Sequence, residues 1–149
     1  MKVCGVELTA SEANICLVSF EQGLIGLPEC RSRKLVLKNA TESEAISDFQ
    51  FAFKKLMQDY SIDEVVIKTR QTKGKFAGSA AGFKMEAAIQ LIPDLQVSMQ
   101  AASTEKAIIK KNPLPISFKE TGLKGFQESA FISGYTYLMA KKYGLPEAE

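Results

Sequence analysis

The sequence contains no histidine and no tryptophan, only three cysteines and five prolines, and no apolar run near the twenty residues a membrane helix needs. Each absence excludes something. Without imidazole there is no Ser-His or Cys-His nucleophile pair, no His-ligated zinc and no His general base, so chemistry is left to carboxylates, Lys, Arg, Tyr and Cys. Cys4, Cys16 and Cys30 lie too far apart for a CxxC pair or a zinc knuckle. Reduced thiols packed as small hydrophobes are expected, a Cys4–Cys16 redox pair being the rival. Residues 1–6 lead straight into a strand pattern with no apolar targeting segment and no small-residue cleavage site, which predicts a cytoplasmic protein with no membrane partner.

What is present fits one folded domain over residues 1–149, with 46% hydrophobic and 24% charged residues. Residues 2–8 and 13–20 read as strands joined by the polar turn Thr9-Ala10-Ser11-Glu12, and a third strand is expected near Arg33–Lys38. The period then changes. Thr41-Glu42-Ser43-Glu44 has the spacing of a capping box, and Ile46, Phe49, Phe53, Leu56, Met57 and Tyr60 form one apolar helical face ending near Asp59. Phe51 lies off that face and is expected to be covered by a neighbouring element. Val65-Val66-Ile67 reads as a buried parallel strand, followed by a glycine-rich basic segment, a helix ending before Pro93, a strand at Leu95–Met99 and a short basic helix over Thr104–Lys111. A last helix is predicted over Gly122–Tyr143, with Leu123, Phe126, Ala130, Gly134, Tyr137 and Leu138 on its buried stripe. This order predicts an α/β fold: a five-stranded mixed sheet, strands 1–3 antiparallel and the later strands parallel, with helices on both faces.

An opening strand carrying Gly5-Val6-Glu7-Leu8, a β-meander, alternating helix and strand, and a closing helix resemble the ribonuclease-H-like superfamily, in particular its RuvC-type resolvase branch. Gly5-Val6-Glu7-Leu8 and the Lys73–Gly78 segment are also similar to an uncharacterised bacterial family filed as a domain of unknown function. The resolvase resemblance implies two-metal phosphodiester cleavage, in which Mg or Mn ions need several converging carboxylates. Carried over by position, it makes Glu7 the first catalytic and metal-binding acid and Glu128 the last. An alternative register puts Phe126 in the place of Glu128. Where the resolvases commonly place a Glu on the fourth strand, this chain has Lys68 and Thr69. The resemblance is therefore short of one acid.

Charge is divided unevenly. Residues 1–67 hold 7 basic and 10 acidic side chains, whereas residues 68–149 hold 12 and 7. Lys68, Arg70, Lys73 and Lys75 follow one parallel strand, and Lys106, Lys110, Lys111 and Lys119 follow the next, so both groups are expected on one rim at the carboxyl ends of the strands. Glycine amides beside cations suit phosphate, although the segment lacks P-loop order. Phe76 and Phe83 could offer stacking faces to bases. Lys68, Arg70, Lys73, Lys75, Lys110 and Lys111 are thus the expected phosphate contacts. The expected function is binding of DNA or RNA around a degenerate or divergent two-metal nuclease site, with Mg or Mn required if that site is active. The alternative is a non-enzymatic homodimeric interaction module on the same fold, using Phe51 if it is exposed.

Overall fold

Alternation along the first two strands sets the architecture. In β1 (Lys2–Thr9), Cys4, Val6 and Leu8 enter one core while Val3 enters another, and in β2 (Glu12–Glu21) Ile15 and Leu17 face the first core while Cys16 and Val18 face the second. A sheet buried on both faces has no solvated side, which explains why these strands read as nearly continuous apolar runs. In the computed structural model, which describes residues 1–75 and 77–146, the remaining elements in chain order are β3 (Leu24–Gly26), β4 (Lys34–Val36), α1 (Ser43–Asp59), β5 (Glu64–Lys68), α2 (Ala80–Gln90), β6 (Gln96–Gln100), α3 (Ala102–Lys111) and α4 (Glu128–Tyr143). The main path of the sheet runs β3-β2-β1-β5-β6, with β4 paired to the far end of β2. β1 is antiparallel to β2 and parallel to β5, and β5 is parallel to β6. The expected mixed α/β fold is observed.

Helices α1 and α2 cover one face through Phe49, Phe53, Leu56, Met85 and Ile89. On the other face, α3 and α4 contribute Ile108, Ala130, Phe131, Tyr135 and Leu138. α4 lies very close to β1: a Cβ at Gly5 would stand 1.9 Å from the Ala130 carbonyl oxygen, and one at Gly134 would stand 2.8 Å from Val18 Cγ2. Glycine is needed at both positions for lack of space. Gln127 fixes the start of this helix by donating its Nε2 to the Ile15 carbonyl at 3.0 Å.

Four local expectations are corrected. The sheet has six strands rather than five: β4 falls within the expected Arg33–Lys38 strand, but β3 at Leu24–Gly26 was not expected, and residues 27–33 leave the sheet between the two at Leu27-Pro28, where Pro28 has no N–H to continue a ladder. The Thr41–Glu44 capping box does not form: Glu42 is the N-cap without a side-chain bond, and the Thr41 amide and hydroxyl both donate to Asn39 Oδ1, at 3.0 and 2.7 Å. A short polar side chain bonding the backbone two residues on competes with the cap. The closing helix starts at Glu128 rather than Gly122, because Gly122 is left-handed at φ +76° and two 3-10 turns, Phe118–Thr121 and Gly125–Gln127, precede α4. Phe126 consequently leaves the buried stripe. Finally, Phe51 is 68% exposed, so none of the described elements covers it.

Candidate functional site

The three parallel strands β1, β5 and β6 end together, and alternation decides what they present there. Val65, Ile67 and Val97 face the α1/α2 core, so Lys68 and Gln100 point to the α3/α4 face. Glu7 shares that face, two residues beyond Gly5. The registers Lys34↔Asn14, Glu7↔Asn14 and Lys68↔Gln100, with Val6↔Ile67 one residue before Glu7 and Lys68, align these residues across the sheet. The result is a polar row, Lys34–Asn14–Glu7–Lys68–Gln100, crossing five strands at one level.

The centre of the row is buried. Lys68, with 14% of its side chain exposed, places Nζ 3.0 Å from Glu105 Oε1 and donates to Ser129 Oγ at 2.5 Å. Glu105 Oε2 accepts from Ser133 Oγ at 2.5 Å and from Gln100 Nε2 at 3.1 Å, and Gln100 Nε2 also reaches Thr136 Oγ1 at 2.7 Å. An ammonium has three donors. Two are taken by Glu105 and Ser129, and the third has no partner among the described residues.

The outer part of the row is looser. Arg70 Nη1 is 3.9 Å from Glu7 Oε2, at the long limit for an ion pair, while Arg70 Nε and Asn14 Oδ1 are buried with no hydrogen-bond partner among the described residues. The loop that carries Arg70 and the exposed Lys73 and Lys75 folds back on itself through Gly78 N donating to Gln71 O at 2.8 Å, with Gly74 left-handed at φ +96°. Ser79 ties its end to the β1–β2 turn by donating to Ala10 O at 2.6 Å, and caps α2 by accepting from Gly82 N at 2.9 Å. The basic loop is therefore held beside Glu7.

Of the residues expected from the sequence, the structure brings Glu7, Lys68 and Arg70 together, with Lys73 and Lys75 on the adjoining loop. Lys110 and Lys111 end α3, away from that edge. The next residue, Asn112, receives the Tyr135 hydroxyl on its carbonyl at 2.8 Å, well along α4 from Ser129. Glu128 is exposed in the first turn of α4. Phe83 is a half-buried α2 residue beside Gly78, and Phe76 lies outside the described residues. Sequence reading missed Glu105, Gln100, Ser129 and Ser133. The available signal was Glu105 itself: it is the one acid in a basic helix and stands three residues before the apolar Ile108, on the same face.

The donor set does not fit a pair of divalent ions. Hard cations need several converging oxygen ligands, yet the site supplies two carboxylates, Glu7 and Glu105, and Glu105 is already engaged by the Lys68 ammonium, Ser133 and Gln100. Among the described residues, no group of three or more Cys, Asp or Glu could hold a metal ion. Cys4 and Cys16 are buried free thiols in the core, raised by burial first and by neighbouring thiols second, Cys16 to about 12. They are poor nucleophiles. No helix among the described residues is long and apolar enough to cross a membrane.

Comparison with solved structures places this geometry in a known fold. The RuvC structure of Thermus thermophilus superposes with a TM-score of 0.74 at 12% identity, covering 97% of this chain and 98% of that one. The same protein in complex with a Holliday junction substrate gives 0.71 at 13% identity, with 97% of each chain covered. The yeast mitochondrial Holliday junction resolvase Ydc2 gives 0.57 at 7% identity, over 95% of this chain and 81% of that one. Identities this low establish the fold alone. No curated protein matches the sequence. A family model described as "Protein of unknown function (DUF3010)" matches residues 1–137, nearly the whole chain, and the protein belongs to that family.

Proposed function

We propose that the protein binds nucleic acid at the carboxyl edge of its sheet without a two-metal cleavage centre. The observation that carries this reading is the Lys68 ammonium, held by Glu105 and Ser129 at the middle of the polar row. An ammonium at this position has one donor left for a phosphate oxygen and supplies no oxygen ligand for Mg or Mn. The orphan Nε of Arg70, the loose Glu7–Arg70 pair and the exposed Lys73 and Lys75 extend the positive field along the loop. Lys and Arg contacts to phosphate give sequence-independent, salt-sensitive affinity. Two resolvases of this fold were solved with Holliday junctions, which makes branched DNA the first substrate to try, with RNA as the comparison. In this reading Glu7 positions Arg70, and neither Glu7 nor Glu128 ligates a metal.

The test is fluorescence anisotropy with a four-way junction, at 50 and 200 mM salt, with Mn and with chelator. The expected result is binding indifferent to metal that weakens steeply with salt, and that loses affinity and salt slope in Lys73→Glu/Lys75→Glu but not in Lys110→Glu/Lys111→Glu. Cleavage of the junction in Mg or Mn that disappears in Glu7→Gln would overturn the reading in favour of an active nuclease.

A second reading, a homodimeric interaction module, is favoured by one observation: Phe51 stands 68% exposed on the outer side of α1. Sedimentation should then show a dimer that Phe51→Asp dissociates. A monomer at every concentration removes it.

A further inference from the structure

At the β4 end of the polar row a cation and an aromatic ring stand together. Lys34 Nζ lies 4.4 Å from the centroid of the Phe126 ring and 3.4 Å from Glu12 Oε2. Phe126 is 38% exposed, in the 3-10 turn leading into α4. Both partners of Lys34 are weak: an exposed ion pair contributes about 0–1 kcal/mol and an exposed cation–π contact about 0.5–1 kcal/mol. The ammonium can therefore be exchanged at little cost. The backbone that carries the ring, by contrast, is anchored. The next residue, Gln127, is 5% exposed, with Nε2 on the Ile15 carbonyl at 3.0 Å and Oε1 accepting from the Lys124 amide at 3.0 Å.

We infer that Phe126 is a stacking platform for an unpaired base of a single strand whose phosphate is taken by Lys34, and that it forms a second subsite of the nucleic-acid surface. This rests on the proposed function. The chemistry of the pair matches one nucleotide: a π-face for the base and a mobile ammonium for the adjoining anion. Arg33 and Lys124, both exposed and next in sequence to Lys34 or close before Phe126, add positive charge around it. Placement matches too. β4 and β1 are separated only by β2, two strand spacings or roughly 10 Å, so a strand lying across Arg70 and Glu7 can reach Phe126 within a few nucleotides. A duplex has no exposed base face to offer, so this subsite selects single-stranded or branched substrate.

The chain contains no tryptophan, so Phe126→Trp introduces a single indole as reporter. Titrated with oligodeoxythymidylate, that variant should be quenched, whereas an abasic strand of equal length should bind through its phosphates and leave the indole unquenched. Phe126→Ala should weaken single-strand binding about five- to 140-fold, the range for one stacked base, and leave duplex binding unchanged. Phe126→Leu, which preserves apolar packing, should lose the same affinity, separating stacking from a folding defect. An unquenched indole at saturation, or unchanged affinity in Phe126→Ala, overturns the platform while salt-sensitive binding through Lys73 and Lys75 stands. Absence of binding by the wild-type protein at low salt overturns both.

Discussion

The Lys68 ammonium and the Glu105 carboxylate meet at 3.0 Å, with only 14% and 3% of their side chains exposed, on the face of the sheet where the parallel strands end. Both charges are largely withdrawn from water, Glu105 almost wholly, so each depends on the other. Removing one partner of a buried pair leaves an uncompensated charge, at a cost of about 3–5 kcal/mol, whereas replacing both by apolar groups of similar size is often neutral. Lys68→Met and Glu105→Leu alone should each lower the urea midpoint sharply, and the double variant should recover most of the loss. Additive losses would show that the pair has no mutual dependence.

The same pair decides the response to divalent ions. Thermal unfolding of the wild-type protein should be unchanged by millimolar Mg or Mn, because the row offers no carboxylate cluster to bind them. A rise of several degrees that Glu7→Gln abolishes would place a metal at Glu7 after all.

The seam between β1 and α4 gives a steric prediction. A methyl at Gly5 would lie 1.9 Å from a backbone carbonyl, which cannot rotate away, whereas at Gly134 the obstacle is a Val18 methyl at 2.8 Å. Gly5→Ala should be destabilised by at least the 1–3 kcal/mol typical of overpacking. Gly134→Ala should be milder and rescued by Val18→Ala, which removes the opposing methyl. Equal losses with no rescue would show that α4 does not sit as described.

Much of this was legible in the sequence. The alternation of β1 and β2, the i, i+3, i+4 face of α1 and the β-branched run of β5 are strong periodic signals, and each element lies within a residue or two of its expected bounds. The site was half legible. Glu7, Lys68 and Arg70 follow from strand register, and the missing carboxylate on that strand was visible as Lys68. What fills its place was not. Glu105 is hidden in a run of lysines, and Ser129 faces Lys68 only because α4 starts at Glu128, a start set by the left-handed Gly122 and two 3-10 turns that periodicity does not register. The rim expected to unite all the lysines fails for a geometric reason: Lys110 and Lys111 are carried off by the ten residues of α3.

The thiols provide a test by pH. Burial first, and the nearby Cys30 second, push Cys16 from an ordinary value of 9.0 to about 12, and Cys4 is raised well above the same value. An unfolded chain releases these protons near pH 9 while the folded chain retains them. The resulting stability is fully present below pH 9 and is lost as pH rises towards 12. The urea midpoint should fall across that window and fall less in Cys16→Ala. Native protein at pH 8 should expose one thiol to a disulfide reagent, Cys30, against three after unfolding.

The contact of Gln127 with Ile15 spans 112 residues, and the Ala130 carbonyl lies directly over Gly5. A nascent chain can therefore assemble the meander and the α1/α2 face early, but the opposite face of its central strand waits for the last helix to be made. Closing so long a loop adds little to the equilibrium cost, because that cost grows only logarithmically with length, yet it places completion of the fold late in time. Until then Val3, Cys16 and Val18 form an open apolar surface on a half-built sheet. Protection of that surface during synthesis, rather than the stability of the finished molecule, is what the close packing of α4 on β1 demands of the cell.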